Sequence, residues 1–404
     1  MASGPPGAPD REAFITPRRA PRRAPAWRGA GLNGLIYQAL ALAVVALTVG
    51  VLAHFTLANM EARGIQSGFG FLGDPAGFDI GEDLIGYQPS DPYWKAYLVG
   101  IVNTLRVALL GVVLATVLGV LLGIGRFSHN AIVRGLAYGY VELFRNVPVL
   151  LQLLMWYLLL TDWLPLPNEA IELGPLRLSK NGFSIPVPVW ETGHTLAMAG
   201  AVLGLTAAWG WRRWARQRFD ATGRLPSLIA VPIALVLVGA VAGWALGGAP
   251  SQWSVPQLDG FMLSGGASAT PEFMAVLIGL SLYTAAFIAE VVRAGIASVA
   301  HGQIEAAGSL GLSKSLAMRL VVLPQALRVI IPPMTGQYLN LTKNSSLAVA
   351  IGYPDVVSIA STTLNQTGRA VECIALIMAV YLTTSLGTSA LMNAYNRHAA
   401  IRER

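Results

Sequence analysis

The sequence predicts an all-α integral membrane protein with about eight transmembrane helices. Of its 404 residues, 54% are hydrophobic and only 12% are charged, whereas about a quarter of the residues in a typical soluble domain are charged. The mean hydropathy is +0.55. Apolar runs long enough to cross a bilayer recur along the chain, so the bilayer is its solvent. The predicted spans are 35–57, 97–124, 138–160, 195–211, 228–247, 272–294, 329–352 and 372–395.

A basic segment precedes the first predicted span. Residues 1–34 include the run PRRAPRRAPAWRG, which predicts a disordered cytoplasmic tail. The apolar run that follows is longer and starts later than the core of a cleavable signal peptide, so we expect it to remain as a span. The tail could bind RNA or lipid, but an anchor that fixes the orientation of the first span is favoured. Residues 35–96 are predicted to hold this span and a periplasmic loop.

Basic residues alternate between successive loops. The N-terminal tail and the loops after spans 2, 4 and 6 are rich in Arg and Lys, and the loops after the other spans are poor in them. Because cytoplasmic loops carry the excess of basic residues, both termini of this multi-pass chain are predicted to be cytoplasmic. The net charge of +7 is therefore a topology signal, and no nucleic-acid partner is expected. The most basic loop is RRWARQRFDATGR, residues 212–224.

The sequence indicates no metal, disulfide or nucleotide chemistry. Cys373 is the single cysteine, which excludes an internal disulfide and a multi-cysteine metal site. The histidines are scattered and form no HExxH pair. The run GSLGLSKS places Gly308, Lys314 and Ser315 in the register of a phosphate-binding loop, but Ser313 replaces the second glycine and no strand precedes it. We therefore expect no cofactor on this chain.

Residues 295–328 form a predicted cytoplasmic loop that is too long for a simple connection. Gly311 is predicted to end a first helix in the left-handed conformation, and Ser313 is predicted to cap the next helix. Pro324 is predicted to break that second helix before the following span. Two short helices under the membrane would form either a docking surface for another protein or an ordinary amphipathic connector. The residues alone favour neither interpretation.

The predicted span 329–352 holds the densest group of polar residues in any span. Charged residues inside a membrane are costly and are functional candidates. The candidates here are Asn340, Lys343, Asn344, Ser345 and Ser346. The first three share one face at helical spacing. A lining of the substrate path is favoured, where an ammonium and amides can meet a carboxylate. The alternative is a hydrogen-bond staple between helices.

Other charged residues lie near the ends of spans. Arg106, near the outer end of the second span, could attract a carboxylate or reach toward lipid headgroups. Glu290 and Arg293, at the inner end of span 272–294, are predicted to form an ion pair beside the loop, with a gate as the alternative. Glycine pairs four residues apart predict close helix packing. These pairs are Gly119/Gly123, Gly200/Gly204 and Gly239/Gly243.

The long cytoplasmic loop resembles the signature of a known family. Inner-membrane permease subunits of ATP-binding-cassette importers carry Glu-Ala-Ala, three residues, Gly, nine residues, Ile, one residue and Leu-Pro. This chain departs from that motif only in having Val321 for Ile. The resemblance implies that this loop docks in a cleft of a cytosolic ATPase dimer. The matching residues are Glu305, Ala306, Ala307, Gly311, Leu323 and Pro324.

Further segments resemble the polar amino acid permeases of that family, the histidine and glutamine type. The runs NTLRVALLGVVLATVLGVLLG, VELFRNVPVLLQLLMWY and LNLTKNSSLAVAIGYPDVV are similar to their core segments. The run TTLNQTGRAVE is similar to broad-specificity general L-amino acid permeases. The resemblance covers 97–160 and 271–396 and implies a five-helix core of the type I importers. It leaves 161–270 as a periplasmic loop with an inserted helix pair, and 397–404 as a cytoplasmic tail.

The resemblance implies a transport subunit of the bacterial inner membrane rather than an enzyme. ATP and Mg²⁺ would bind to the partner ATPase, and the cargo would be polar L-amino acids. The implied partners are the ATPase dimer, a second permease subunit in a heterodimer, a periplasmic binding protein and the lipid bilayer. Alternatives are a permease for another small polar solute, a gradient-driven carrier and a scaffold. A carrier would show paired broken helices, and a scaffold has no need of polar residues in mid-span.

Overall fold

The computed structural model describes residues 32–62, 64, 67–223, 226–260 and 262–399. The chain divides into two units, residues 1–67 and 68–404. In the described part of the first unit, α1 (Leu32–Ala62) is a single apolar helix of spanning length. Most of the predicted basic tail, residues 1–31, lies outside the described residues, as does the end of the predicted C-terminal tail, residues 400–404.

Helices dominate the second unit. They are α2 (Tyr93–Gly125), α3 (Ala131–Asn146), α4 (Val149–Leu158), α5 (Thr192–Thr222), α6 (Ala230–Leu246), α7 (Pro271–Ala297), α8 (His301–Ser309), α9 (Lys314–Ala317), α10 (Leu323–Asn344), α11 (Val356–Thr367) and α12 (Ala370–Ala399). Two π turns, Leu159–Trp163 and Met318–Val322, follow α4 and α9. Three 3-10 turns occupy Phe69–Gly73, Pro167–Glu169 and Ser345–Ile351.

Short strands occur between α4 and α7, where the sequence was expected to form a loop and a helix pair. They are β1 (Ile171–Leu173), β2 (Leu176–Ser179), β3 (Gly182–Ile185), β4 (Val187–Pro188), β5 (Trp253–Ser254), β6 (Gln257–Asp259), β7 (Met262–Ser264) and β8 (Ala267–Ala269). The order β1-β2-β3-β8 makes one antiparallel sheet, and β4-β5 and β6-β7 make two pairs. The two-residue turn Lys180-Asn181 joins β2 to β3, and Gly182, with φ +107°, begins β3 opposite Ser179. The chain is otherwise mostly helical, as predicted.

Five helices in the described part of the chain are long and apolar enough to cross a membrane. If the bent pair of α3 and α4 is counted as one span, the number is six. The helices α5 and α6 pack as an antiparallel hairpin. If each of these two crosses once, the total reaches the predicted eight. The first helix of the hairpin is longer than the predicted span 195–211, because it continues through the basic run to Thr222.

The predicted span 138–160 is divided between two helices, α3 and α4. The axes of α3 and α4 differ by 104°. Proline disfavours helical geometry in the residue before it, and Val147 is extended with φ −98° and ψ 129° next to Pro148. The side-chain amide of Gln152 holds the corner, because it donates to the main-chain oxygens of Phe144 and Val147 at 3.0 and 2.9 Å.

The helix α7 is the centre of the core and packs against α2, α3, α4 and α10. Glycines allow the closest approaches. A Cβ atom at Gly119 in α2 would lie 2.6 Å from side-chain atoms of Ile288. In the hairpin, a Cβ at Gly200 would lie 2.0 Å from the main-chain oxygen of Gly239. The remaining glycines of the three predicted pairs are as tightly placed, so the predicted close packing is confirmed.

Two buried polar residues in α2 hold neighbouring segments in place. The Nδ2 atom of Asn103 donates to the main-chain oxygens of Glu82 and Pro354 at 2.9 and 3.0 Å. The hydroxyl of Thr104 accepts from the main-chain N–H of Val356 at 3.2 Å. These bonds satisfy main-chain groups that would otherwise be buried without partners. They attach the loop before α2 and the turn before α11 to the same helix.

Candidate coupling loop and substrate path

The loop between α7 and α10 contains a helix, a tight turn and the start of a second helix. Gly311 has φ +73°, in the left-handed region that favours glycine. The main-chain N–H of Leu312 donates to the oxygen of Ala307 at 3.1 Å and closes the end of α8. The hydroxyl of Ser313 accepts from the N–H of Leu316 at 3.4 Å as a helix cap. The predicted left-handed cap and the predicted N-cap are both confirmed.

Pro324 does not end the second helix, and that prediction is wrong. Residues from Lys314 to Ile351 form one continuous helical rod. A proline lacks the N–H group, and its ring crowds the carbonyl of the residue four positions earlier, which here is Leu320. The wider π turn Met318–Val322 lies at that place and leaves the carbonyl room. The second helix of the loop is therefore the beginning of the next span.

An apolar surface is exposed on this loop. Leu310, at the turn after α8, has 81% of its surface exposed. Neighbouring exposed apolar side chains are Ile304, Leu316, Met318, Leu320 and Leu323. Exposed apolar side chains outside the membrane are available for contacts with proteins or membrane surfaces.

The motif residues on α8 divide between the inside and the outside of the loop. Glu305 and Ala306 are exposed, whereas Ala307 is only 3% exposed and packs inward. Gly308 is also exposed, and a Cβ atom added there would meet no atom within 4 Å. The same is true of Gly311. These two glycines therefore make no room for packing within the chain, and the space they leave is open to another surface.

The polar group of α10 points away from the core of this chain. Asn340 and Lys343 are exposed and Asn344 is half-buried, in agreement with the predicted shared face. Their neighbours Leu341 and Thr342 are buried on the opposite side. Within the described residues, no carboxylate lies within ion-pair distance of the lysine ammonium. An unpaired ammonium in lipid is costly, so this face is expected to meet protein or water.

The two serines that follow use their hydroxyl groups locally. Ser345 is buried and donates to the main-chain oxygen of Thr342 at 2.7 Å. Ser346 donates to the oxygen of Lys343 at 2.8 Å. These bonds satisfy carbonyl groups where α10 changes into the 3-10 turn Ser345–Ile351. Three of the five predicted path residues in this span thus form the outward polar face, and two support the helix end.

Arg106 is paired with the loop before α2. Its guanidinium forms an ion pair with the buried carboxylate of Glu82 and lies 3.9 Å from the centre of the Phe273 ring. The second oxygen of Glu82 accepts from the hydroxyl of Thr270 at 2.6 Å. In the described part of the chain, no hydrogen bond or ion pair joins Arg106 to the polar face of α10. Arg106 therefore fastens the outer loop to α2 and to the start of α7.

A cluster of arginines surrounds Glu290 at the other end of α7. The Nη2 atom of Arg293 lies 2.5 Å from Oε1 of Glu290, which confirms the predicted ion pair. Arg126, after the last turn of α2, forms a second ion pair with Oε2. The Nη1 atom of Arg145, near the end of α3, lies 3.9 Å from the same oxygen. One carboxylate thus connects three helices beside the cytoplasmic loop.

Sequence reasoning missed Glu82 and Arg126 as partners in these clusters, because both had been counted only as loop charges. The signal for Glu82 was Arg106 itself. An arginine far inside an apolar run needs a nearby counter-charge, and the loop before α2 is rich in acidic residues. Arg126 directly follows an apolar helix, and Glu290 lies near the end of another, so their opposite charges at the same membrane depth were a usable signal.

The comparisons with known proteins decide the family. A family model described as "Binding-protein-dependent transport system inner membrane component" matches residues 115–400, which is more than half of the chain. The chain belongs to this family. The permease component is also similar to the "Putative amino-acid ABC transporter permease protein YhdX" of Escherichia coli (strain K12). The two are 48% identical over 374 residues, which cover 91% of this chain and 94% of that protein.

Two further relatives and one solved structure are similar to this permease component. It is 44% identical to the "General L-amino acid transport system permease protein AapQ" of Rhizobium johnstonii, over 92% of this chain and 93% of that protein. It is 38% identical to the "Glutamate/glutamine/aspartate/asparagine transport system permease protein BztB" of Rhodobacter capsulatus, over 86% and 88% of the two chains. The solved structure "Crystal structure of an amino acid ABC transporter with histidines" is 20% identical, with a TM-score of 0.45, over 76% of this chain and 95% of that chain.

Proposed function

We propose that this permease component forms the transmembrane path of an ATP-driven importer for polar L-amino acids. The relatives support the cargo class, because two of them are described as an amino-acid permease and a general L-amino acid permease. Both align over more than nine-tenths of this chain. The chain acts as a transport subunit and catalyses no reaction itself. ATP and Mg²⁺ bind to separate ATPase subunits, and this chain holds no cofactor.

The observation that carries this proposal is the open apolar surface of the cytoplasmic loop. Glu305, Ala306 and Leu310 are exposed on it, and Gly308 and Gly311 leave space above the main chain. Such a surface fits the cleft of a cytosolic ATPase dimer. Ala307 supports the helix from the inside. Because α9 and α10 form one rod, a movement of the ATPase at the loop is passed directly to the span that carries Lys343.

The outward polar face of α10 supports a second permease subunit as a partner. Asn340 and Lys343 need a polar neighbour that the described part of this chain does not supply. A second subunit would enclose this face and create a polar path in which the ammonium meets the carboxylate of an amino acid. Two identical chains would bring two lysines toward one symmetry axis, and like charges repel in a low-dielectric site. A heterodimer avoids that repulsion.

The same elements support one membrane orientation. The basic loops, including the loop with Glu305, face the cytoplasm. The strands and the loop before α2 then lie on the periplasmic side, where a soluble binding protein delivers the solute. Both termini are cytoplasmic in this arrangement of the bacterial inner membrane. Alternating closure of the ATPase dimer would open the path first to one side and then to the other.

The proposal is tested with the substitution Gly308→Leu and its matched control Gly302→Leu. Both glycines are exposed on α8, lack a positive φ, and have no atom within 4 Å of an added Cβ. They lie on different faces of the helix. Gly311 is unsuitable because any other residue is strained at φ +73°. Each variant is expressed with the candidate ATPase, the second permease and the binding protein, and is reconstituted in proteoliposomes.

We expect Gly308→Leu to lower co-purification of the ATPase and ATP-dependent uptake of labelled L-amino acids by about tenfold or more, because an interface centre tolerates a new side chain poorly. Gly302→Leu should behave as wild type. Equal behaviour of the two variants would refute docking at this surface. Uptake that persists without ATPase and ATP would favour a gradient-driven carrier. If only solutes other than amino acids compete for uptake, the proposed docking to the ATPase stands and the proposed class of cargo is wrong.

A further inference from the structure

The hairpin of α5 and α6 is an inserted element with its own close-packed seam. Gly200 and Gly239 lie against each other's main chains, and Gly204 and Gly243 continue the seam in both directions. The long-range packing of α5 is chiefly with α6. Strands β4 and β5 connect the hairpin to the rest of the unit. Most of the hairpin surface is therefore left to face lipid.

The first helix of the hairpin is longer than the second, and its extra length is basic. The indole N–H of Trp211 donates to the main-chain oxygen of Ser227, just before α6, at 3.0 Å. Residues 212–222 continue beyond that point for about 16 Å at the rise of an α-helix. This extension holds one acidic residue, Asp220. Its exposed arginines are Arg212, Arg213, Arg216 and Arg218.

None of the four arginines has a carboxylate within ion-pair distance among the described residues. Two of them lie over tryptophan rings. The guanidinium of Arg213 is 3.7 Å from the ring centre of Trp209, and that of Arg218 is 4.9 Å from the ring centre of Trp214. Tryptophan prefers the level of the lipid headgroups, so we expect these guanidinium groups at the same level.

A groove between the two helices runs toward this basic end. The cavity has a volume of about 330 Å³ and is almost entirely apolar apart from Arg212. Its other lining residues are Leu205, Ala208, Trp209, Pro232, Ile233, Val236 and Leu237. The spacing of Leu205, Trp209, Arg212 and Arg216 places all four on one face of α5. Arg218 lies on the opposite face. The groove thus combines an apolar channel with one arginine in its lining, Arg212, and Arg216 lies one turn further along the same face of α5.

We propose that this groove binds an anionic phospholipid. An acyl chain lies between Leu205 and Ile233, and the phosphate group accepts hydrogen bonds from Arg212 and Arg216. A zwitterionic lipid offers the same chain but adds a cation beside the arginines, so an anionic headgroup is preferred. The α5, α6 and α7 helices all meet the strands at one end. If each helix crosses once, the lipid occupies the same leaflet as the loop with Glu305.

The matched variants are Arg212→Gln and Arg218→Gln, which remove one charge each from the same exposed helix. The full-length chain is reconstituted in phosphatidylcholine vesicles that contain a photoactivatable phosphatidylglycerol. Crosslinked peptides are identified by mass spectrometry. Removal of any arginine weakens the general attraction to anionic lipid to a similar degree. Only Arg212→Gln removes a direct contact, so its labelling of α5 and α6 should fall about tenfold below that of Arg218→Gln.

A second set of variants and lipids tests whether an acyl chain occupies the groove. Ile233→Trp fills the groove without changing the charge, and it should also abolish labelling between α5 and α6. A photoactivatable phosphatidylcholine should label wild type much less, and excess inorganic phosphate should not displace the anionic lipid. Equal labelling of Arg212→Gln and Arg218→Gln, or displacement by phosphate alone, would overturn the proposal. The readout is binding, so it is independent of the solute that the permease carries.

Discussion

Arg126 and Glu290 form an ion pair that joins the inner end of α2 to α7. The side chain of Arg126 is only 6% exposed, and the Glu290 side chain is 27% exposed. Arg126 also lies 4.1 Å from the ring centre of Tyr138 in α3. A single carboxylate therefore balances a buried arginine and two more exposed ones, directly before the cytoplasmic loop begins.

Glu290→Gln is expected to destabilise the permease. It leaves the guanidinium of Arg126 buried without its counter-charge, a change that costs about 3–5 kcal/mol for fully buried pairs. Because Glu290 is partly exposed, we expect about 2 kcal/mol, measured from the unfolding midpoint in a denaturing detergent titration. Glu142→Gln is the control, since that exposed carboxylate accepts from the amide of Asn146 at 3.3 Å and forms no ion pair within the described residues. Equal losses in the two variants would show that the cluster around Glu290 contributes little.

Gly200→Ala is expected to loosen the hairpin. The new methyl group would lie 2.0 Å from the main-chain oxygen of Gly239, so the helices must separate. Overpacking of this kind costs about 1–3 kcal/mol. Gly210→Ala is the matched control, because it makes the same change in the same helix with no atom within 4 Å. Thermal unfolding of the purified chain should separate the two variants. A stable Gly200→Ala would contradict the close approach of α5 and α6.

Local features of the fold could be predicted from the sequence, because a few adjacent residues determine them. Gly311 and Ser313 are such a case, since one needs the left-handed conformation and the other caps the helix that follows it. The glycine pairs also predicted close helix packing, because a residue without a side chain allows the main chains of two helices to approach each other closely. Long apolar runs predicted the main spans. The length and hydrophobicity of a run are read directly from the sequence, so this prediction needs no information on contacts between distant residues.

Other features depend on neighbours that are distant in sequence. The apolar run through Pro148 shows no break in hydrophobicity, so its periodicity cannot reveal that the chain turns by 104° there. Pro324 was expected to end a helix. The wider π turn before it leaves room for the carbonyl that the proline ring would crowd, so the helix continues. The pairing of Arg106 with Glu82 joins residues on a span and on a loop. Spacing along the chain carries no direct information on such contacts.

Asp355 is expected to make stability depend on pH near neutrality. This carboxyl group is buried in the turn before α11, and burial raises its pKa to about 7. Its Oδ1 atom accepts from the N–H of Ser358 at 2.8 Å, and the hydroxyl of Tyr381 lies 3.5 Å from Oδ2. Within the described residues, no basic side chain forms an ion pair with it. The folded protein therefore binds this proton more tightly than the unfolded chain does.

Because the folded pKa exceeds the unfolded one, stability should fall as the pH rises from about 4 to about 7. Asp355→Asn keeps an acceptor for the helix cap and removes the titration, so its unfolding midpoint should change less with pH. Asp91→Asn is the control. The bond with Lys95 lowers the pKa of Asp91, so its contribution is lost only in more acidic solution. A slope near neutrality that Asp355→Asn leaves unchanged would assign the effect to another group.

Lys343→Met is expected to lower transport strongly while the complex still assembles. The exposed ammonium has no partner in the described part of this chain, so it is free to meet the carboxylate of a passing amino acid. A hydrogen bond to a charged group contributes about 1.5–3 kcal/mol, which corresponds to a loss of about tenfold or more in uptake. Lys343→Arg keeps the charge and should retain part of the activity. Uptake in proteoliposomes and co-purification of the second permease are measured in parallel.

Ser346→Ala is the control for Lys343→Met, because its hydroxyl donates to the main-chain oxygen of Lys343 and carries no charge, so its loss should leave uptake nearly unchanged. The two readouts separate the two interpretations of the α10 polar face. If the lysine lines the path, uptake falls and co-purification is preserved. If it is a staple to a neighbouring helix, Lys343→Met disrupts co-purification together with uptake, because an acidic partner is then left buried and unpaired. That second result would remove Lys343 from the substrate path and place it in the subunit interface.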